Sequence, residues 1–336
     1  MKFPFTPVKP AKSDSKGAKR GAPAKKGRLC FARRALACLF ALCALLCAFM
    51  YACSRVVNLC YSDVYLHDLA PELDGVSILF VSDLHASGFS SPEQLSAVIH
   101  QLDAQLEPDL LLLGGDYSDF GLDSMLLKLF GLKTHAQLSA LERERRARMF
   151  ALMEDIRPPL GKFAVRGNHD IFLSGLDEAL QSGGFTLLVN SVARVEKNGA
   201  QLVVAGLDDF GEGTPDISAI AQSVEGGEAV VLLSHNPDAL IPCLNRPARD
   251  GGGWVDLMLT GHLHGGQIRL PFLQPFYLPS ASSSRFLSGW FEESGALLLN
   301  SNGLGATSVP FRLFAPAQAH FIRLHPAGAR ATETTS

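Results

Sequence analysis

Cysteine is scarce outside one segment of this 336-residue chain. Six of the seven cysteines lie in or beside an apolar run near the amino terminus, namely Cys30, Cys38, Cys43, Cys47, Cys53 and Cys60. Only Cys243 falls in the rest of the sequence. A single thiol excludes a disulfide framework and a cysteine-based zinc site there. Cysteines in the apolar run act most simply as small apolar residues, with acylation as their one further use.

The chain also lacks a Gly-x-Ser-x-Gly pentapeptide. That motif places a nucleophilic serine on the sharp strand-to-helix turn of α/β-hydrolases. Two serines do follow apolar runs, Ser82 before Asp83 and Ser234 before His235, but neither lies within that pentapeptide motif. These absences argue against a serine hydrolase.

Net charge is small, −3 at pH 7, and it is unevenly spread. The first 34 residues carry eleven lysines and arginines against one acidic residue, Asp14. The remainder of the chain is therefore acidic. An acidic body repels polyphosphate backbones, so no nucleic-acid partner is expected for it.

The apolar run lies between Arg34 and Arg55 and contains no charged residue. About twenty residues at 1.5 Å each form a helix long enough to cross the ~30 Å hydrocarbon layer. The basic flank before the run predicts that the amino terminus stays in the cytoplasm. We therefore expect an uncleaved, single-pass anchor in the cell membrane, with the rest of the chain extracytoplasmic.

Other interpretations of the apolar run remain open. It could be a buried core helix of a soluble domain. It could be a lipoprotein signal ending at Cys53, or Arg33-Arg34 could belong to a twin-arginine export signal. The favoured division of the chain has a basic disordered cytoplasmic tail, an anchor, a connector, one main domain and a disordered tail, at residues 1–34, 35–55, 56–75, 76–325 and 326–336.

From Val76 onward, apolar runs repeatedly end in Asp, Asn or His. Each such run predicts a buried strand followed by a loop. The runs are SILFVSD, DLLLLGGD, KFAVRGNHD, QLVVAGLDD, AVVLLSH and VDLMLTGH. Helical spacing of apolar residues predicts helices in PEQLSAVIHQLDAQL, SALERERRARMFALMEDI, GLDEALQSG and DISAIAQSV. Alternating strands and helices indicate an α/β layered fold. Because the later strands lack long helices between them, we expect a mixed sheet or a two-sheet sandwich.

Five short polar constellations stand at the ends of these predicted strands. They are Asp83-Leu84-His85, Gly114-Gly115-Asp116, Gly167-Asn168-His169-Asp170, Ser234-His235 and Gly261-His262-Leu263-His264. Each alone is a weak signal, but they occur together and in order after buried strands. Burying so many carboxylates and imidazoles without a metal would be costly. A donor set of oxygen and nitrogen suits Mn²⁺, Fe²⁺ or Zn²⁺.

In this pattern the sequence resembles the calcineurin-like metallophosphoesterases. Their blocks Asp-x-His, Gly-Asp, Gly-Asn-His-Asp, His and Gly-His-x-His are all present in order, over about residues 76–325. The resemblance implies a four-layer α/β/β/α sandwich of two mixed β-sheets flanked by helices. It implies two divalent metal ions, one held by Asp83, His85 and His264, the other by Asn168, His235 and His262, with Asp116 bridging both.

The same resemblance implies hydrolysis of a phosphate ester or anhydride by a metal-bridging hydroxide. His169 would stabilise charge or protonate the leaving oxygen. Asp170 would orient that imidazole, or alternatively cap the helix that begins near Ile171. Asp119 is expected to organise its loop. A non-catalytic, metal-stabilised binding module on the same fold is the alternative function, although its ligand set would be expected to have lost a member.

Further matches within that family are Asn190, Ala205-Gly206-Leu207-Asp208-Asp209, His235-Asn236-Pro237-Asp238, the stretch from Gly261 through Gln267, Asn302-Gly303-Leu304-Gly305, Pro310, Arg312 and Pro316. In these residues the sequence most resembles the bacterial branch that carries one amino-terminal membrane segment. That resemblance implies a lipid- or nucleotide-linked phosphate substrate, since the branch is similar to UDP-2,3-diacylglucosamine pyrophosphatases. Arg269 and Arg312 are either phosphate contacts or structural arginines. Substrate selection is assigned to loops such as Phe272–Trp290, and no substrate-binding residue is assigned from the sequence.

Overall fold

The apolar run forms part of one long helix, α1 (Ala24–Ser54). In the computed structural model, residues 24–270, 272–273, 275 and 285–329 are described. The predicted disordered tails and the predicted selectivity loop fall largely outside these ranges. Within α1, Leu29–Ser54 is long and apolar enough to cross a membrane, which fits a membrane span or a signal sequence. The helix begins earlier than the predicted anchor at residue 35.

The chain divides into two units, Met1–Ala48 and Phe49–Ser336. The second unit contains two mixed six-stranded sheets. The first sheet has the order β1-β12-β2-β3-β4-β5, with β1 at Val57–Leu66, β2 at Ser77–Val81, β3 at Leu110–Leu113, β4 at Lys162–Ala164, β5 at Thr186–Leu187 and β12 at Ala317–Pro326. Only the β12–β2 pair is antiparallel in this sheet.

The second sheet has the order β10-β11-β9-β8-β7-β6. Its strands are β6 at Ser191–Lys197, β7 at Ala200–Gly206, β8 at Val230–Leu233, β9 at Leu257–Thr260, β10 at Gly289–Glu293 and β11 at Ala296–Asn300. The two outer pairs are antiparallel and the inner pairs are parallel. The expectation of mixed sheets is confirmed.

Alternating side chains of each strand enter two different cores. In β2, Ile78 and Phe80 lie in the core between the sheets, whereas Leu79 and Val81 pack under the helices. Residues of a strand alternate between faces, so a strand buried on both faces reads as an unbroken apolar run. This burial produces four layers, α/β/β/α, as the resemblance implies.

Helices cover both outer faces. They are α2 (Pro92–Leu106), α3 (Leu122–Leu129), α4 (His135–Ala151), α5 (Asn168–Ile171), α6 (Leu176–Ser182), α7 (Ile217–Ala221) and α8 (Leu240–Leu244). The helix predicted from PEQLSAVIHQLDAQL matches α2, which a capping box at Ser91 and Gln94 begins. Helix α4 starts four residues before the predicted stretch, because Thr134 and Gln137 form a second capping box.

Residues 56–75, expected to be a connector, include an edge strand of the first sheet. Strand β1 pairs in parallel with β12 along its whole length, from Val57 opposite Ala317 to Leu66 opposite Pro326. Its burial pattern is mixed, because an edge strand is not covered on every side. The sequence of β1 therefore lacks the unbroken apolar run that marks the buried strands. Its strand structure depends on pairing with β12, which is distant in sequence.

Candidate metal centre

Seven polar side chains from both sheets meet at one edge of the sandwich. They are Asp83 and His85 after β2, Asp116 after β3, Asn168 after β4, His235 after β8, and His262 and His264 after β9. The carboxyl ends of parallel strands share one edge of a sheet, which brings the following loops together. The structure thus assembles in one place all seven residues that the resemblance singled out as ligands.

Five of these seven residues have left-handed backbone conformations. Their φ angles are 52° at Asp83, 44° at His85, 57° at Asp116, 73° at His262 and 51° at His264. This conformation costs roughly 1–2 kcal/mol for a residue with a side chain. Backbone hydrogen bonds hold it in place, including His85 N to Asp116 O at 3.0 Å and Asp83 N to Gly115 O at 3.0 Å. Strain of this kind concentrates at functional sites.

Gly115 shows how closely the loops approach each other. Its φ is 94°, and a Cβ there would lie 2.6 Å from the backbone nitrogen of Gly167 and 2.9 Å from Nδ1 of His235. A side chain at this position would push the three loops apart. The Gly-Gly-Asp turn therefore needs a glycine in order to bring Asp116 beside His235.

A first group of potential ligands consists of Asp83, His85 and His264. Nε2 of His85 lies 3.0 Å from Nε2 of His264. Oδ1 of Asp83 lies 3.4 Å from Nε2 of His264 and 4.0 Å from Nε2 of His85. Three donor atoms that face one point at these separations match the ligands of one metal ion.

A second group contains His235 and His262, with Asp116 between the two groups. Nε2 of His235 lies 3.2 Å from Nδ1 of His262 and 3.2 Å from Oδ2 of Asp116. The same Oδ2 atom lies 3.6 Å from Nε2 of His85, which belongs to the first group. One carboxylate oxygen is thus shared by both groups.

The donor atoms fit divalent cations. Oδ1 of Asn168 is shielded from solvent and has no hydrogen-bond partner among the described residues. A buried amide oxygen without a donor is unfavourable unless a cation satisfies it. At His235, Nδ1 lies 2.8 Å from the carbonyl oxygen of Gly114, so this nitrogen donates and Nε2 keeps its lone pair for a metal.

Burial also sets the protonation of several imidazoles. Burial lowers the pKa of His85 and of His264 below the ordinary histidine value, and it lowers the pKa of His262 to about 4. At neutral pH these rings are uncharged, as metal ligands must be. Burial alone would do the same to His235, but the Asp116 carboxylate raises the pKa of that imidazole well above its usual range. A metal bound at Nε2 would displace the proton held there. The site therefore attracts positive charge.

His169 lies beside both groups and lines a cavity. Its Nδ1 atom lies 3.2 Å from Oδ1 of Asp119, and its backbone nitrogen donates to Oδ1 of Asp116 at 3.0 Å. Burial lowers the pKa of His169, but Asp116 and Asp119 outweigh burial and raise it to about 9. The ring also lies within reach of a metal ion shared with His85 and Asp116.

Asp170, expected to orient His169, has different partners. Its carboxylate accepts hydrogen bonds from three backbone nitrogens, those of Asp116 at 2.8 Å, Gly167 at 3.0 Å and Tyr117 at 3.2 Å. The bond from Gly167 closes the start of α5, which begins at Asn168 and not near Ile171. The geometry therefore matches the capping alternative, and Asp119 takes the place expected for Asp170 beside the imidazole.

A cavity of about 480 Å³ opens over His169, Asn168 and His262. Two further segments, Gln267–Ile268 and Thr307–Val309, form another part of its wall, and among them only Gln267 belongs to a stretch that the resemblance marked. Asp119 joins this wall to the site, accepting from Ser308 N at 3.0 Å and Thr307 Oγ1 at 2.9 Å. The sequence marked Asp119 as a loop-organising residue but did not predict its contact with His169, and Thr307–Val309 had no sequence signal.

The two arginines considered as phosphate contacts bond to backbone carbonyls. Arg312 is fully buried and donates to Asn302 O at 2.7 Å and to Gly305 O at 3.0 Å. Arg269 donates from Nε to Phe314 O at 2.9 Å. These contacts favour the structural alternative for both. Arg312 in particular holds the segment after β11 against His264, whose Nδ1 lies 3.3 Å from the guanidinium.

Comparisons with known proteins agree with this geometry. The family model described as calcineurin-like phosphoesterase matches residues 76–266. An uncharacterized metallophosphoesterase of Bacillus subtilis, YkuE, is 29% identical over 72% of this chain and 76% of its own length. A second, YkoQ from the same organism, is 29% identical over 73% and 82%. The phosphodiesterase YaeI of Escherichia coli is 29% identical over 68% and 75%.

Proposed function

Because this chain belongs to the calcineurin-like phosphoesterase family and is a metal-dependent phosphohydrolase, we propose that it works with two divalent cations held side by side. The observation that carries this proposal is the position of Asp116. Its Oδ2 atom lies 3.2 Å from a nitrogen of one ligand group and 3.6 Å from a nitrogen of the other. A carboxylate shared in this way suits a bridge between two cations.

The proposed ligands divide between the two cations. Asp83, His85 and His264 hold the first, and Asn168, His235 and His262 hold the second, with Asp116 contacting both. The unpaired Oδ1 of Asn168 supports its role as a ligand, and the family resemblance implies its place in the second set. Because every donor is oxygen or nitrogen, Mn²⁺, Fe²⁺ and Zn²⁺ are the cations to test.

The chain's own groups then determine how the phosphate reacts. Two bound cations would neutralise phosphate oxygens and lower the pKa of bound water. His169 faces the cavity with Nδ1 directed to Asp119, which leaves Nε2 to serve the substrate. The Asp119 carboxylate beside Nδ1 favours the protonated ring. The ring can therefore donate a proton to the leaving oxygen, or stabilise its charge, as the bond to phosphorus breaks.

The cavity also accepts an organic group. Apolar Leu263, Ile268 and Val309 line it together with the polar residues, and its volume of about 480 Å³ exceeds the needs of phosphate alone. The name of YaeI indicates that a phosphodiester is one class to test. We propose a lipid- or nucleotide-linked phosphate as substrate, reached from an extracytoplasmic domain anchored in the cell membrane by α1.

Asp116→Asn tests the two-cation centre. The full chain, loaded with Mn²⁺, is assayed on p-nitrophenyl phosphate, bis(p-nitrophenyl) phosphate, a pyrophosphate and a lipid-linked phosphate. The substitution should lower turnover by more than the roughly 10–100-fold typical of losing an outer-shell partner, while the melting temperature stays within a few degrees. Exposed Asp177→Asn is the matched control. Retained turnover in Asp116→Asn would contradict the proposal.

A further inference from the structure

Helix α3 exposes apolar side chains and buries a polar one. Leu129 is 76% exposed and Met125 is 56% exposed, whereas Ser124 is buried. The two apolar residues after this segment, Phe130 and Leu132, are also about two-thirds exposed, at 69% and 68%. A surface helix of a soluble domain normally shows the opposite arrangement. A contiguous exposed apolar surface of this kind marks an interaction site.

Polar contacts hold α3 in this orientation. Ser124 Oγ donates to Glu142 Oε1 of α4 at 3.1 Å. Asp123 Oδ2 accepts from Arg145 Nη2, also on α4, at 2.7 Å, and from Gly88 N at 3.1 Å. Rotating the helix to bury its leucines would break these bonds. The polar contacts between α3 and α4 therefore hold the apolar face of α3 toward solvent.

Other exposed apolar residues lie close in sequence to segments that line the cavity. Phe172 follows His169 by three residues and is 77% exposed, and Phe314 and Leu270 follow the two wall segments. Asp119 contacts His169, Thr307 and Ser308 and precedes α3 by three residues. Thr307 N in turn donates to Gln267 Oε1 at 3.0 Å, which joins the second wall segment to the first. We call the whole set the apolar rim: Met125, Leu126, Leu129, Phe130, Leu132, Phe172, Leu270 and Phe314.

The charges within this surface are basic. Lys128 and Lys133 lie among the exposed leucines of α3 and the turn after it, and Arg269 precedes Leu270. The acidic residue of this helix, Asp123, forms an ion pair with Arg145. Apolar side chains interspersed with cations are the composition that binds an anionic lipid surface, where basic groups meet headgroups and apolar groups enter the acyl boundary.

The last residues of α1 belong to the second unit and contact the chain just before Phe314 of the rim. Within the second unit, Met50 O at the end of α1 accepts from Arg312 N at 3.1 Å, and Ser54 Oγ donates to Pro310 O at 3.1 Å. Strand β1 then starts at Val57, opposite Ala317. Because β12 runs antiparallel to β2, that start lies at the sheet edge where β2 ends and the metal centre begins.

We propose that the apolar rim docks on the surface of an anionic lipid bilayer, so that the cavity opens onto lipid headgroups. The proposal rests on the membrane anchoring included in the proposed function. The chain connects an apolar helix to the edge of the domain that carries the rim, so a bilayer lies within reach of it. Docking would present a phosphate at headgroup depth directly to His169 and the metal ligands.

Fluorescence quenching in nanodiscs tests the docking independently of catalysis. The full chain is reconstituted in phosphatidylglycerol nanodiscs whose acyl chains are brominated or not. Phe130→Trp places an indole in the rim, and Tyr61→Trp is the control on β1, where the side chain is 62% exposed against 69% for Phe130 but lies outside the rim. Bromine should quench the Phe130→Trp indole at least twofold more than the Tyr61→Trp indole. Equal quenching would overturn the proposal.

A second pair of measurements separates docking from catalysis and from self-association. Leu129→Ser/Phe130→Ser should lower hydrolysis of a phosphate carried by a nanodisc lipid several-fold and leave p-nitrophenyl phosphate turnover unchanged. Quenching in a sample without any hydrolysis would support docking and contradict the proposed function. If the wild-type chain is a dimer that the double substitution dissociates, and quenching is absent, a second copy covers the rim and the proposal fails.

Discussion

Asp119 joins the imidazole of His169 to the far wall of the cavity. Its Oδ1 atom lies 3.2 Å from Nδ1 of His169, and its Oδ2 atom accepts from Ser308 N at 3.0 Å and from Thr307 Oγ1 at 2.9 Å. These bonds hold the pKa of the Asp119 carboxyl well below its usual range, although burial opposes them. The carboxylate therefore stays charged and favours a protonated His169.

Asp119→Asn should slow turnover without removing metal. The amide keeps the size of the carboxylate but loses the negative charge that stabilises the His169 imidazolium. Loss of such a partner typically costs about 10–100-fold in activity. Turnover on an aryl phosphate and metal content by elemental analysis are measured together, with Asp177→Asn as the control. Loss of metal in proportion to turnover would mean that Asp119 supports the ligands and not His169.

His169→Gln should reveal whether this residue protonates the leaving group. A general acid contributes about 10²–10⁴-fold, and its contribution grows as the leaving oxygen becomes more basic. The loss of turnover should therefore be larger for phenyl phosphate than for p-nitrophenyl phosphate, whose leaving group needs little protonation. Metal content should stay unchanged. Equal losses on both substrates, together with loss of metal, would identify His169 as a ligand.

Asp170→Asn should destabilise the loop behind the metal centre. The carboxylate accepts from three backbone nitrogens, and an amide has one acceptor oxygen and a donor group that would face these N–H groups. Leaving buried donors unpaired costs about 1–3 kcal/mol each. A lower melting temperature and weaker Mn²⁺ binding are expected, with an unchanged dependence on the leaving group. A normal melting temperature combined with a changed leaving-group dependence would restore the orienting role for Asp170.

Glu142→Gln should remove a pH-dependent loss of stability. Burial raises the pKa of Glu142 to about 7 in the folded chain, from 4.5, although Arg145 lies 2.9 Å away and opposes the shift; Asp123 and Asp119 add to it. Between these pH values only the folded state keeps the proton, so stability falls as pH rises, by about 1.4 kcal/mol per pH unit. Above pH 7 the loss is complete.

The measurement is a melting temperature at pH 5 and at pH 8. Wild type should lose more stability between the two than Glu142→Gln, because glutamine does not ionise. Glu144→Gln, on the exposed side of the same helix, should behave like wild type. Parallel changes in all three proteins would show that Glu142 ionises normally.

Most of the fold and all seven proposed ligands could be predicted from the sequence. The strands β2, β3, β4, β8 and β9 are short unbroken apolar runs, because both of their faces are covered. Each run ends in a polar residue, and parallel strands present such residues at one edge. The pattern of apolar runs ending in polar residues was therefore sufficient to predict that Asp83, Asp116 and His262 lie together. The capping residue Ser91 was likewise sufficient to predict where α2 begins.

Only the tertiary structure decided which residues contact these ligands. Asp119 meets Ser308 across 189 positions of sequence, and β1 becomes a strand only because β12 pairs with it. The outward face of α3 depends on polar contacts with α4 that helical periodicity cannot reveal. Sequence patterns report how each segment is buried along its own length. The partner of His169, the wall of the cavity and the apolar rim arise from contacts between distant segments, which no local pattern encodes.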